Sequence, residues 1–206
     1  MVGRTGIKVI GLTGPSGAGK GVIASMLAEL GLAVIDADEV YHSLLVPPSR
    51  CLDCIREEFG DGVMLPDGGL DRAALAAIVF APDASDRLET LNCITHGFVI
   101  KKARQLMDEY EEMGYKGVVF DAPLLIEAGF LSDCDKLIVV TAGEDVRMER
   151  IMMRDGLSAD RAHARIRSQK SEEFYISHAD YVIVNDSSLE SVRSRVIEIF
   201  KGIMGE

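Results

Sequence analysis

Between Gly14 and Lys20 the chain reads Gly-Pro-Ser-Gly-Ala-Gly-Lys, with Val9-Ile10-Gly11-Leu12 in front of it and Gly21 behind. The spacing is G-x-x-x-x-G-K, that of a phosphate-binding loop, and it demands a buried strand before it and a helix after it. The chemistry explains the composition. Backbone N–H groups have to turn inward around a polyphosphate, and Gly14, Gly17 and Gly19 allow dihedrals and close approaches that a Cβ would block. A helix opening near Gly19 adds its positive end, and Lys20 adds a full charge toward the β- and γ-phosphates. Val22, Ile23, Met26, Leu27 and Leu30 follow at helical spacing, so the strand–turn–helix context is present. A plain glycine turn would need none of this. The nucleotide contacts expected here are Gly14, Ser16, Gly17, Ala18, Gly19, Lys20, Gly21 and Val22.

The rest of the chain reads as alternating short apolar runs and amphipathic segments. Residues 7–12, 32–35, 117–121, 136–140 and 181–184 are the expected strands, which predicts an α/β fold with a five-stranded, mostly parallel, doubly wound sheet. Asp36 and Asp121 each stand at the C-terminal end of such a run, where open parallel sheets line their ligand crevice. Gly21 occupies the place where Ser or Thr usually holds Mg²⁺. Asp36 and Asp121 are therefore the expected metal donors, directly or through water. Asp38 would also serve as an ordinary N-cap for a helix around residues 39–45.

From residue 47 to about 114 the pattern turns helical, with Asp71 and Asp86 as expected caps and Arg72, His96, Lys101 and Lys102 as its basic residues of interest. Six of the chain's fourteen arginines fall between Arg147 and Arg167. Arg147, Arg150 and Arg154 recur at i, i+3 and i+7 on one helix face; Gly156 then ends that helix and Ser158 starts a second. In a chain of net charge −11 this hairpin is the local basic island that a phosphate site requires, and it predicts a mobile lid. The same net charge argues against a nucleic-acid-binding surface. Neither a membrane span nor a signal peptide is expected, which points to a cytoplasmic protein. Cys51, Cys54, Cys93 and Cys134 contain one C-x-x-C and no second, so reduced thiols are expected. Ser187-x-x-Glu190 reads as a capping box for the last helix.

A phosphate loop, a helical insertion and an arginine lid are the parts of a small kinase. Several segments together carry a family resemblance. They are Asp36-Ala37-Asp38-Glu39-Val40 with His42, Leu70-Asp71-Arg72, Phe120-Asp121-Ala122-Pro123-Leu124-Leu125-Ile126-Glu127, Arg150, Arg154-Asp155-Gly156-Leu157-Ser158, Gln169, and Ala179-Asp180-Tyr181-Val182-Ile183 with Asn185. In combination they resemble dephospho-coenzyme A kinase nearly end to end.

The resemblance implies transfer of the ATP γ-phosphoryl group to the ribose 3′-hydroxyl of dephospho-CoA, with Mg²⁺, and no obligatory protein partner. It implies Asp36 as base, Lys20 as phosphate cation, and Arg150 and Arg154 as lid contacts in catalysis. Asp38, His42, Arg72, Pro123, Leu124 and Leu125 would line the acceptor site, and Asn185 would lie near the adenine of ATP. The expected organisation is a nucleotide core (1–46, 115–143 and 176–206), an acceptor-binding insertion (47–114) and a lid (144–175). The loop itself is closer to that of cytidylate and adenylate kinases, where Gly also follows the Lys. Pro48 stands where the family commonly has Gly, and Gly97 where Pro commonly follows the His. The alternatives are a nucleoside monophosphate kinase and a non-catalytic nucleotide switch.

Overall fold

Strands form where the chain carries continuous runs of Val, Ile and Leu, because a strand covered on both faces has no polar side. The structure is a computed structural model and describes residues 6–205. β1 is Lys8–Thr13, β2 Ala33–Asp36, β3 Gly117–Asp121, β4 Lys136–Thr141 and β5 Tyr181–Val184. They make one sheet in the order β2-β3-β1-β4-β5, and every neighbouring pair is parallel. The burial agrees with that reading: Leu137, Ile138, Val139 and Val140 of β4 are all fully inaccessible.

α1 (Lys20–Glu29) follows the loop, and α9 (Leu189–Met204) closes the chain. Ile10, Leu12, Val119, Ile138, Val140 and Ile183 of the sheet pack with Ile23 and Leu27 of α1 and with Val192, Val196 and Ile199 of α9 in one apolar cluster. The remaining helices of this part are α6 (Glu144–Asp155), α7 (Ala159–Arg167) and the short α8 (Glu172–Ile176).

The chain divides into two compact units. One holds the sheet and comprises the residues up to Asp36 and those from Met107 onward. The other, Ala37–Leu106, is helical: α2 (Ala37–Leu44), α3 (Arg50–Phe59), α4 (Arg72–Val79) and most of α5 (Ser85–Glu112). It has its own core of Leu45, Cys51, Leu52, Ile55, Val63, Leu75 and Val79. Ser49 caps α3 by accepting the Leu52 N–H. Asp71 caps α4 by accepting both the Ala73 and Ala74 N–H groups at 3.0 Å.

Three local expectations shift. Helix α2 starts directly after β2, so Asp38 lies inside its first turn and does not cap it. Asp86 likewise lies inside the first turn of α5. At α9 the capping residue is Ser188, which accepts the Ser191 N–H, and not Ser187. Two adjacent serines offer the same hydroxyl; which one sits in extended backbone one residue before the helix is decided by where β5 releases the chain.

Candidate phosphate-binding site

The loop between β1 and α1 is shaped by three glycines with positive φ: 143° at Gly14, 81° at Gly17 and 90° at Gly19. Each also lies against a neighbour that leaves no room for a side chain. A Cβ on Gly14 would sit 2.1 Å from the Val140 carbonyl oxygen, one on Gly17 2.6 Å from that of Arg147, and one on Gly19 2.3 Å from Asn185 Nδ2. The loop is thus threaded between β4, α6 and the end of β5. The Ala18 N–H closes a turn on the Pro15 carbonyl at 3.2 Å, and α1 begins at Lys20 with no acidic residue in its first turn. The positive end of the helix is therefore uncompensated by the helix itself. Lys20 Nζ donates to the Gly14 carbonyl at 3.0 Å, which lays the ammonium across the mouth of the loop. Gly21 and Val22 are exposed, and a Cβ on Gly21 would meet nothing within 4 Å.

Side chains from the far end of the sequence hold the outward carbonyls. Asn185 Nδ2 donates to the Ala18 carbonyl at 2.8 Å, and the Asn185 N–H donates to Thr141 O at 2.7 Å. Arg150 donates to the Gly17 and Ala18 carbonyls, both at 3.3 Å, and to the Asn185 carbonyl at 2.9 Å. Arg147 Nε donates to the Ser16 carbonyl at 3.0 Å. A loop whose carbonyls are taken from behind can turn its remaining N–H groups, such as those of Gly17 and Gly19, to an anion in front.

Asp36 and Asp121 pair in register on β2 and β3, and Leu12, next to the start of the loop, pairs with Asp121 on its other side. Two carboxylates therefore end neighbouring strands beside the strand that feeds the loop. Thr13 is fully buried and its hydroxyl donates to the Pro123 carbonyl at 3.2 Å, fixing the segment after β3 to the end of β1. In that segment Leu124 is exposed and Leu125 fully buried; the Leu125 side chain covers Gly11, where a Cβ would meet its Cδ1 at 2.9 Å.

Arg154 lies seven residues beyond Arg147 on α6, about 10 Å further along the axis. It makes a two-pronged pair with Asp155 at 2.8 and 2.9 Å, and Arg165 of α7 donates to the same carboxylate at 2.7 Å. The bond from Arg154 holds the Asp155 carboxyl below the usual carboxylate range. Asp155 thus joins α6 and α7 at the tip of the arginine-rich hairpin.

The family model described as dephospho-CoA kinase matches residues 8–191. The chain belongs to the dephospho-CoA kinase family. A dephospho-CoA kinase of Carboxydothermus hydrogenoformans is 38% identical over 195 residues, covering 95% of this chain and 94% of the relative. A crystal structure from Thermus thermophilus superposes with a TM-score of 0.74 at 31% identity, covering 95% of this chain and 97% of the other. Dephospho-CoA kinase from Campylobacter jejuni gives a TM-score of 0.68 at 26% identity, covering 96% and 97%.

The expected loop residues, Arg150 and Asn185 of this dephospho-CoA kinase family member come together around one backbone segment. Asp36 and Asp121 come together at the sheet edge of the same unit. Arg154 stands apart, at the hairpin tip. Asp38, His42 and Arg72 all belong to the helical unit. There His42 and Arg72 are exposed, and the Tyr41 ring lies 5.9 Å from that of His42. Burial raises the Tyr41 hydroxyl pKa while the Arg72 charge pulls it back, so Arg72 stands near that phenol. All four cysteines are free thiols. Burial pushes Cys51 up to about 11 and Cys134 up to about 12, which leaves both protonated and unreactive at neutral pH.

Sequence reasoning placed Arg147 in a row with Arg150 and Arg154 and gave it no separate task, and it left Gln169 unassigned to any contact. Both touch the loop. No local pattern marks them, because their partner lies more than 130 residues away in the chain.

Proposed function

We propose that this chain transfers the γ-phosphoryl group of ATP to the ribose 3′-hydroxyl of dephospho-CoA, giving coenzyme A and ADP in the last step of coenzyme A synthesis. The observation that carries the reading is a phosphate loop whose carbonyls are held from behind, set beside two carboxylates in register, in a member of the dephospho-CoA kinase family. Residues 1–46, 115–143 and 176–206 are assigned to nucleotide binding, 47–114 to the acceptor and 144–175 to the lid.

The loop from Gly14 to Val22 cradles the ATP phosphates, with N–H groups such as those of Gly17 and Gly19 facing them while the Ser16 N–H stays on Gln169 and the Ala18 N–H on Pro15, and Lys20 exchanges its carbonyl contact for the β- and γ-phosphate oxygens. Asp36 accepts the proton of the acceptor hydroxyl. The hydroxyl oxygen forms the new P–O bond to the γ-phosphorus, and the bond from that phosphorus to the bridging oxygen breaks, with ADP leaving. Arg150 contributes charge from behind the loop, and Arg154 reaches the transferring group from the lid as charge builds on its oxygens. Asn185 lies on the adenine side. Asp38, His42, Arg72 and the Pro123-Leu124-Leu125 segment are assigned to the acceptor.

Two carboxylates ending adjacent strands are hard oxygen donors of the kind Mg²⁺ prefers. Among the described residues no group of three or more His, Cys, Asp or Glu side chains could hold a metal. Mg²⁺ usually keeps several of its waters and takes phosphate oxygens. Asp36 and Asp121 would hold Mg²⁺ through water. When bound, the ion neutralises charge on the phosphate oxygens. No helix among the described residues is long and apolar enough to cross a membrane, and a cytoplasmic location is proposed.

The test is to supply the purified chain with Mg-ATP and dephospho-CoA and to follow coenzyme A by mass. A product heavier by one phosphate, on the 3′ position, is expected. Turnover on CMP or AMP alone would overturn the assignment in favour of a nucleoside monophosphate kinase, whose loop the Gly14–Gly21 segment resembles. ATP binding with no transfer to any acceptor would favour a nucleotide switch.

A further inference from the structure

Arg147 is 7% exposed, an unusual place for a guanidinium, and burial lowers its pKa against the pull of Glu144, Glu172 and Tyr175. A buried arginine has to find acceptors for its N–H groups. Here two of them are spent on one small ring of bonds. Arg147 Nε donates to the Ser16 carbonyl at 3.0 Å, Arg147 Nη2 donates to Gln169 Oε1 at 3.3 Å, and the Ser16 N–H donates to the same Gln169 oxygen at 3.0 Å. Both neighbours of that Gln169 atom are donors, so it must be the amide oxygen. Both backbone polar groups of Ser16 are thereby held, one by each side chain.

The two side chains come from the two ends of the arginine-rich hairpin. Arg147 lies in the first turns of α6, and Gln169 follows α7 by two residues. At the same place the Gly17 backbone is flush against α6: a Cβ there would meet the Arg147 carbonyl oxygen at 2.6 Å and its Cα at 2.9 Å. We propose that Arg147 and Gln169 are positioning residues for the nucleotide, clamping the phosphate loop at Ser16 and tying its shape to both roots of the lid. The inference rests on reading this loop as the ATP site. Because the Ser16 N–H is committed to Gln169, the clamp sets where the N–H groups of the following residues begin to turn toward the phosphates. Swinging the hairpin about its roots is then felt by the loop directly, through two side chains and no intervening packing. The chemistry asks for an acceptor at position 169 and does not ask for an amide.

The experiment is ATP binding by calorimetry on the full chain, with dephospho-CoA binding measured alongside. Gln169→Met removes the acceptor and keeps the length, and an affinity for ATP about tenfold weaker is expected from losing bonds to a charged donor and to a part-buried N–H. Gln169→Glu restores an acceptor to both donors and should bring the affinity back to within about threefold of the parent chain. Dephospho-CoA affinity should stay unchanged in both. The proposal is overturned if Gln169→Met binds ATP within about twofold of the parent, if Gln169→Glu is no better than Gln169→Met, or if dephospho-CoA affinity falls by the same factor. Should Gln169→Met fail to fold, Gln169→Asn keeps the amide but falls one methylene short. A loss of about threefold or more supports the clamp, and parental affinity refutes it. A parent chain that binds ATP but does not phosphorylate dephospho-CoA would sink the acceptor assignment while leaving these ratios as the test of the clamp.

Discussion

Replacing Gly19 by alanine separates what the loop's backbone requires from what its neighbours require. Gly19 has φ 90°, and its Cβ would lie 2.3 Å from Asn185 Nδ2. A left-handed backbone costs an L-residue about 1–2 kcal/mol. The collision also forces Asn185 to withdraw the 2.8 Å bond it donates to the Ala18 carbonyl, a loss of about 1 kcal/mol in a buried position. The free loop can escape the strain by relaxing, and ATP must then drive it back, so the sum of about 2–3 kcal/mol appears at binding as roughly 30- to 150-fold weaker affinity. Gly31→Ala is the control. Its φ is 93° but nothing lies within 4 Å of the added Cβ. It should lower the urea midpoint through backbone strain alone and leave ATP affinity within about twofold. Adding Asn185→Ala to Gly19→Ala removes the collision and should cost less than the two single losses summed. Calorimetry with ATP on the parent, the three single variants and the double variant checks all of this. Parental ATP affinity in Gly19→Ala, or an equal loss in Gly31→Ala, would refute the picture of a loop wedged against Asn185.

Asp36→Asn should abolish transfer to dephospho-CoA while leaving ATP affinity within about threefold, as measured by coenzyme A formation and calorimetry; equal loss of both would mean that Asp36 mainly holds metal or fold. Gly21→Ser fits without steric cost, since nothing lies within 4 Å of the new Cβ, and should lower the Mg²⁺ concentration needed for half-maximal rate; an unchanged Mg²⁺ titration would show that this position does not face the metal. Burial lowers the pKa of His96. The unfolded chain, at about 6.5, then binds more protons over the window from there down to the folded value, and stability contributed by neutral His96 is present above that window and lost as pH falls through it. Urea midpoints at pH 7.5 and 5.5 should therefore differ more for the parent chain than for His96→Gln, and an equal difference would rule the residue out as a source of the slope.

Much of the fold could be read directly from the chain, for reasons that are local. Apolar runs of four to six residues bounded by glycines and helices leave no other arrangement than a parallel sheet covered on both faces, and the five expected strands are the five found. The glycine loop is legible because its constraint is carried by neighbouring backbone: Gly14, Gly17 and Gly19 do adopt positive φ. Ends were less legible. Asp38 and Asp86 fall one residue inside their helices, and Ser188 takes the cap that Ser187 could also have made, since the local chemistry of adjacent polar residues is nearly the same.

The arginines show where sequence stops. Spacing places Arg147, Arg150 and Arg154 on one face of α6, and a face is all that spacing can give. Only the packing of α6 edge-on against the loop decides that Arg147 is buried on Ser16, that Arg150 spans Gly17, Ala18 and Asn185, and that Arg154 lies beyond the loop on Asp155. Likewise Leu124 and Leu125 are neighbours of equal hydrophobicity, yet one is 51% exposed and the other fully buried over Gly11. Periodicity records which way a side chain leaves its own helix or strand. What Arg147 and Gln169 meet is set by chain 131 and 153 residues away, and that is decided by how the sheet and its helices close on one another.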